Sequence, residues 1–150
     1  MSQAHSPQLI RHTPDKNRYV YFYGNKYRKV WLHSSKQWIH DHVATLNSLM
    51  PGYVINSGSN WIDFKIIEGT PASKFDHTPE FVERIHKFCL LQIEEIQPLV
   101  HGDWTLSNMI INGDKITMID WDNIGVYPID QVYKKMSADL KSAFGDLYVF

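Results

Sequence analysis

Short stretches in the first half of the chain alternate apolar and polar residues with a period of two. Gln8 to His12, Arg18 to Tyr23 and Lys26 to His33 read as three strands, with turns at Thr13-Pro14-Asp15-Lys16-Asn17 and Gly24-Asn25 between them. Residues 1 to 7 are polar and are expected to fray. The period then changes. Trp38, His42, Leu46 and Leu49 follow at helical spacing behind Ser34-Ser35, which predicts a helix from Ser35 to Met50 ended by Pro51-Gly52, with His40 and His42 on a partly exposed face. Tyr53 to Asn56 and Trp61 to Ile67 form a hairpin around Ser57-Gly58-Ser59-Asn60, in which Trp61, Asp63 and Lys65 alternate against Ile62, Phe64 and Ile66.

The second half is mainly helical. Thr78-Pro79-Glu80 sets a cap, an N1 proline and a first-turn acid in their preferred places. Val82, Ile85, Cys89, Ile93 and Ile96 give the helix behind it one apolar stripe, Phe81, Phe88 and Leu91 widen it, and Pro98 stops it. Met109 to Ile111 and Ile116 to Ile119 are two β-prone runs, and Asn112-Gly113 between them predicts a hairpin. With Asn112 to Lys115 as its loop, Ile111 faces Ile116, and counting outward sets Asn108 next to Asp120 at the open end. A last helix buries Ile129, Val132, Tyr133 and Met136 and continues through Leu140, Phe144, Leu147, Tyr148 and Phe150.

Composition narrows the class without choosing a function. At 150 residues and 43% hydrophobic, the chain can bury a real core as one unit or two joined lobes. A formal net charge of -1 argues against broad nucleic-acid binding, which needs a basic surface. One cysteine, Cys89, excludes an intramolecular disulfide framework, and no run is apolar enough for a membrane span or laid out as a signal peptide, so a cytoplasmic protein is expected. The charge is uneven: Arg11, Lys16, Arg18, Lys26, Arg28, Lys29 and Lys36 stand against Asp15 alone, which fits either a polyphosphate contact or a lysine-decorated sheet edge.

The densest chemistry lies in His101-Gly102-Asp103, then Asn108, then Ile119-Asp120-Trp121-Asp122. An amide oxygen and a carboxylate converge at the hairpin end with Asp103 five residues before Asn108, and two hard oxygen ligands beside a second carboxylate suit Mg²⁺ and the phosphates it carries. The spacing resembles the catalytic segment of the aminoglycoside phosphotransferase and choline kinase family, a small-molecule branch of the protein kinase-like fold. That resemblance implies an α+β fold with a β-rich nucleotide lobe at 1–68 and a helical catalytic lobe at 69–150. It also implies Asp103 as catalytic base, Asn108 and Asp120 as metal ligands that also contact the nucleotide, and His101 as structural support.

The same resemblance assigns the turn ending at Asn17 to the nucleotide phosphates, although it lacks the glycine-rich pattern of protein kinases, and makes Lys29, on one strand face with Tyr27 and Trp31, the phosphate-binding lysine. Glu68 falls in the hinge segment Ile66-Ile67-Glu68-Gly69-Thr70-Pro71, where relatives hydrogen-bond adenine. The helix after the third strand has no glutamate for Lys29, and Asp41 is its one candidate carboxylate. Trp121 and Asp122 sit where acceptor contacts fall, and Asp130 is assigned to catalytic-loop N–H groups. The helices that complete the second lobe in relatives are absent from this sequence, which implies a minimal form with uncovered apolar surface and a homodimer. The resulting expectation is an ATP- and Mg²⁺-dependent phosphotransferase acting on a small-molecule hydroxyl, with no nucleic-acid or membrane partner. The alternatives are a nucleotide-binding pseudokinase, a protein Ser/Thr kinase, or a metal-dependent hydrolase using His101, Asp103, Asp120 and Asp122.

Overall fold

The alternating strands form one antiparallel sheet. In the computed structural model, which describes residues 7–13 and 17–150, β1 (Gln8–Thr13), β2 (Arg18–Phe22), β3 (Lys26–Trp31), β4 (Val54–Ser57) and β5 (Trp61–Lys65) pair in the order β1-β2-β3-β5-β4. The first six residues, expected to fray, and the turn centre at Pro14 to Lys16 lie outside the described residues. The chain divides into two compact units, Met1–Ile66 and Ile67–Phe150.

In the first unit, Lys29 lies opposite Val20 on one neighbour and Ile62 on the other, so it shares a face with Trp31. The helix α1 (Lys36–Leu49) is capped by Ser35, whose hydroxyl accepts from Trp38 N at 3.0 Å. Ile39, His42 and Leu46 are its buried positions, at the i, i+3, i+7 spacing of one helix face. His40 is exposed as expected, but His42 is buried. Its ring stacks on Trp38 at 4.7 Å and meets Trp31 edge-on at 6.4 Å, because the helix turns Ile39 inward and leaves Trp38 at the margin.

The opposite sheet face holds an ion cluster. Asp63, expected on a polar face, is 1% exposed. Arg28 donates to its Oδ1 through Nε at 2.7 Å and to Oδ2 through Nη2 at 3.0 Å, and Lys26 donates to Oδ2 at 2.7 Å. The Arg28 guanidinium lies 3.9 Å from the Trp61 ring centroid. Burial pushes the Asp63 carboxyl up, but the bonds from Arg28 and Lys26 outweigh it and hold it below the usual carboxylate range.

In the second unit, β6 (Thr70–Pro71), β7 (Met109–Asn112) and β8 (Lys115–Met118) form a small sheet, and α2 (Pro79–Ile96) and α3 (Ile129–Phe144) supply its helical layer. Gly69 makes the close approach to β7 possible. Its φ is +138°, and a Cβ there would stand 2.5 Å from Ile111 O. Thr78 caps α2 by accepting from Phe81 N at 3.1 Å. The buried stripe of α2 is Phe81, Val82, Ile85, Cys89, Gln92 and Ile93, whereas Leu91, expected to widen it, is exposed. Val132, Met136, Leu140 and Phe144 are the buried side of α3. The last residues fold back on α2: Tyr148 OH lies 2.9 Å from His86 Nδ1, and the Phe150 ring stacks on His86 at 4.1 Å. No helix among the described residues is long and apolar enough to cross a membrane.

Candidate active site

The hairpin β7–β8 anchors the candidate site, and its register places the candidate residues at its open end. Ile111 faces Ile116 and Asn112 faces Lys115, so the loop proper is Gly113-Asp114. Among the four residues from Asn112 to Lys115, Gly113 alone takes a positive φ, at +59°, and Asn112 stays in the strand. At the open end the ladder runs one step further, with Ile119 N donating to Asn108 O at 2.8 Å. Asn108 therefore pairs with Ile119, and Asp120 is the next residue. Its φ of +60° turns the chain out of the strand there, a left-handed conformation that Asp tolerates better than most side chains.

The entering loop is framed by a bridge in which Val100 and Gly125 exchange hydrogen bonds of 2.8 and 3.1 Å. His101 is fully buried and uses both ring nitrogens. Nε2 lies 2.8 Å from Ile119 O and Nδ1 lies 3.1 Å from Asp103 N. A carbonyl only accepts and a backbone N–H only donates, which fixes the Nε2–H tautomer. One imidazole thus ties the loop before Asp103 to the strand end before Asp120. Gly102 makes the turn between them at φ +91°, where a Cβ would press to 3.1 Å on Asn123 O.

Past the turn, Asp103 is half-buried and its Oδ1 accepts a short hydrogen bond from the Thr105 hydroxyl. Thr105 Oγ1 in turn accepts from Asn108 Nδ2 at 3.3 Å. The three side chains form one hydrogen-bonded row. Trp104, between them, is buried, and its backbone N–H donates to Asp139 Oδ2 at 3.1 Å.

That last bond corrects the expectation for Asp130, which is exposed in the first turn of α3. Asp139 is the acid that meets the loop. The two are nine positions apart, and at about 100° per residue they point to opposite sides of the helix. Asp139 also accepts from Lys135 Nζ at 2.6 Å. Its sequence context, Ser137-Ala138-Asp139, carries no local signal for such a role, so only the helix phase reveals it.

Trp121 needs a second correction. It is 5% exposed, its Nε1 donates to Met118 O at 3.1 Å, and its ring meets His101 edge-on at 4.5 Å. An indole spent in this way is hairpin core and offers no open face to a cationic acceptor. Asp122, one residue on, is partly buried. A pocket of about 300 Å³ is lined by Val100, Gly102 and Trp104 of the loop together with Tyr127, Gln131 and Lys135. Asp103 is not among its walls.

The expected nucleotide contacts divide between the units. Lys29 lies on the sheet face shared with Trp31, its Nζ 5.5 Å from the centroid of the Phe64 ring. Asp41, its one candidate partner on α1, is exposed and takes Gln37 Nε2 at 2.8 Å. Asn17 has a φ of +47° and its backbone oxygen accepts from Leu32 N at 3.0 Å. Glu68, in the second unit, is exposed just before Gly69.

A five-stranded antiparallel sheet with one helix, followed by helices and a short hairpin, is the α+β arrangement of the protein kinase-like fold. Solved structures with this arrangement include WbdD, with a TM-score of 0.63 at 15% identity over 94% of this chain. A streptomycin–ATP ternary complex of APH(2″)-IIa gives a TM-score of 0.55 at 10% identity over 96% of the chain. Choline kinase LicA from Streptococcus pneumoniae gives 0.52 at 12% identity over 99% of the chain. The chain spans 38% of the length of the WbdD structure and 78% of each of the other two. No protein-family profile matches the sequence, and no curated protein matches it by sequence.

Proposed function

We propose that this protein is an ATP- and Mg²⁺-dependent phosphotransferase whose acceptor is a hydroxyl on a small molecule. The observation that supports it most is the hydrogen-bonded row Asp103–Thr105–Asn108, which leads by way of the Asn108–Ile119 backbone bond to Asp120. The row links a half-buried carboxylate to an amide, and the strand paired at Asn108 continues into Asp120, an order of residues that phosphoryl transfer would use. The APH(2″)-IIa neighbour, solved with ATP, supports ATP as donor.

In this reading the acceptor hydroxyl gives its proton to Asp103 as its oxygen attacks the γ-phosphorus of ATP. The new O–P bond forms while the bond from that phosphorus to the β,γ-bridging oxygen breaks, and ADP leaves with the electron pair. Asn108 and Asp120 are the residues that would hold Mg²⁺, since an amide oxygen and a carboxylate are hard donors; bound there, the ion would neutralise phosphate charge. His101 fixes the backbone of Asp103, and Asp139 holds the N–H of the next residue. Lys29, Asn17 and Glu68 are carried forward as proposed nucleotide contacts, and Asp122 as a proposed acceptor contact.

The nucleotide-binding pseudokinase remains a second reading because α1 carries no glutamate and its one acid, Asp41, is exposed and accepts from Gln37. The hydrolase reading loses its metal-ligating histidine, since both nitrogens of His101 are used within the protein. A cytoplasmic protein that forms a homodimer through exposed Val126, Ile129 and Val149 is proposed alongside. Incubation with Mg²⁺-ATP, with and without pooled metabolites, tests the main proposal. Acceptor-dependent ADP release supports it, stable nucleotide binding without turnover favours the pseudokinase, and phosphate release without ATP overturns both.

A further inference from the structure

We infer that Thr105 is the positioning residue of the site: its hydroxyl selects which oxygen of Asp103 takes the acceptor proton and which end of the Asn108 amide faces the metal. This rests on the phosphotransferase reading for its catalytic part, and on geometry alone for the positioning.

Thr105 occupies the N-cap position of the 3-10 turn Leu106–Asn108, where a threonine hydroxyl ordinarily accepts from a backbone N–H of the following turn. Here it makes no such bond. The turn closes through backbone alone, Asn108 N donating to Thr105 O at 3.0 Å, and the hydroxyl is free to reach side chains. It donates to Asp103 Oδ1 and accepts from Asn108 Nδ2. A residue in the N-cap position whose hydroxyl instead joins a half-buried carboxylate to a buried amide has a role other than opening a turn.

The direction of the two bonds has a chemical result. An ionised carboxylate only accepts, so the Thr105 proton is committed to Asp103 Oδ1, and Oδ2 is left for an incoming hydroxyl. The Thr105 lone pair is then committed to an N–H of Asn108. An amide can be turned end for end with almost no change of shape, and its hydrogen-bond partner is what decides between the two orientations. With Nδ2 held by Thr105, Oδ1 is the end presented elsewhere, and oxygen is the end that ligates Mg²⁺. One hydroxyl therefore sets the base and the metal ligand together. Thr105 is exposed, so its loss empties no core.

The test uses the full chain with Thr105→Val, Thr105→Ala and Thr105→Ser, read in two ways. Side-chain amide resonances of Asn108 and the carboxylate carbon of Asp103 report positioning without substrate. Steady-state kinetics with Mg²⁺-ATP report its effect. Thr105→Val and Thr105→Ala are expected to move or average the Asn108 amide signals. They should also lower kcat by about ten- to a hundred-fold, the usual weight of a hydrogen bond to a charged group, and raise the half-saturating Mg²⁺ concentration. Thr105→Ser should restore most of both. Unchanged Asn108 and Asp103 signals in Thr105→Val and Thr105→Ala overturn the inference, as does a wild-type Mg²⁺ requirement in either. If the resonances shift as expected while the wild-type protein transfers no phosphate to any acceptor, the positioning stands and the proposed function falls.

Discussion

Asp63 in the first unit and Asp103 in the second are carboxylates treated in opposite ways. Asp63 is 1% exposed and both its oxygens are taken by full positive charges from Lys26 and Arg28. Asp103 is half-buried; one oxygen accepts from a neutral hydroxyl, and the other accepts no hydrogen bond among the described residues. A carboxylate held on both oxygens by cations has little acceptor capacity left and is suited to holding strands together. One tethered at a single oxygen keeps a fixed direction and an open lone pair, which a general base requires. The comparison separates a carboxylate whose contacts suit it to hold strands together from one whose contacts suit the proposed role of base.

The largest expected effect breaks the Asp103 half. Asp103→Asn keeps the shape and removes the proton acceptor, so phosphoryl transfer should fall by about 10²-fold or more while ATP affinity stays within a few-fold. Transfer at near wild-type rate would remove Asp103 from the chemistry. Asp63→Asn tests the other half and should leave transfer chemistry alone but destabilise the first unit by about 2–3 kcal/mol in urea unfolding. That is below the usual cost of breaking a buried pair, because Lys26 and Arg28 are each 27% exposed and can be hydrated.

Asp139→Ala should cost about 1–2 kcal/mol of second-unit stability and lower kcat, because it strips the acceptor from a buried N–H next to the base. Asp130→Ala should cost only a few tenths of a kcal/mol, as for an exposed first-turn acid. Equal effects would return Asp130 to the role Asp139 now holds.

The smallest effect distinguishes the units by pH. The Asp63 carboxyl is held below its ordinary value, so its contribution is complete above about pH 3.9 and is lost only as pH falls through the folded value. Burial lowers His86, so its contribution is complete above about pH 6.5 and declines as pH falls below that. Mild acid should therefore loosen the contact of Tyr148 and Phe150 with α2 before it reaches the Asp63 cluster, measured as loss of their side-chain resonances between about pH 7 and pH 5. The order should vanish in His86→Phe.

What the sequence disclosed and what it concealed follow the range of the interactions involved. Helix caps at Ser35 and Thr78 and the Ile111–Ile116 register are local, and residue type with spacing was enough to find them. The pairing of Asn108 with Ile119, one residue before Asp120, was legible for the same reason. Asp139 was not, because its partner is 35 positions away at Trp104 and its value depends on the rotation of α3. Asp63 read as a polar strand position, since alternation marks faces but cannot show that two cations and an indole will close over one of them. Trp121 was misread because a tryptophan beside two acids has the same composition whether it packs inward or receives a ligand. His42 stands on the stripe that spacing predicts, but spacing cannot show that the Trp31 and Trp38 rings close over it.

The positive φ of Asp120 makes that position answer to two requirements at once. The backbone accepts glycine, asparagine or aspartate, and the proposed metal contact accepts a carboxylate, so the two sets overlap in a single amino acid. In a library of all replacements at this position, Asn and Gly should yield folded protein without transfer activity. Alanine and the β-branched residues should add about 1–2 kcal/mol of strain to the chemical loss. Folded yield and activity would then sort the same variants into different groups, and Asp120→Asn rather than Asp120→Ala is the substitution that isolates the charge.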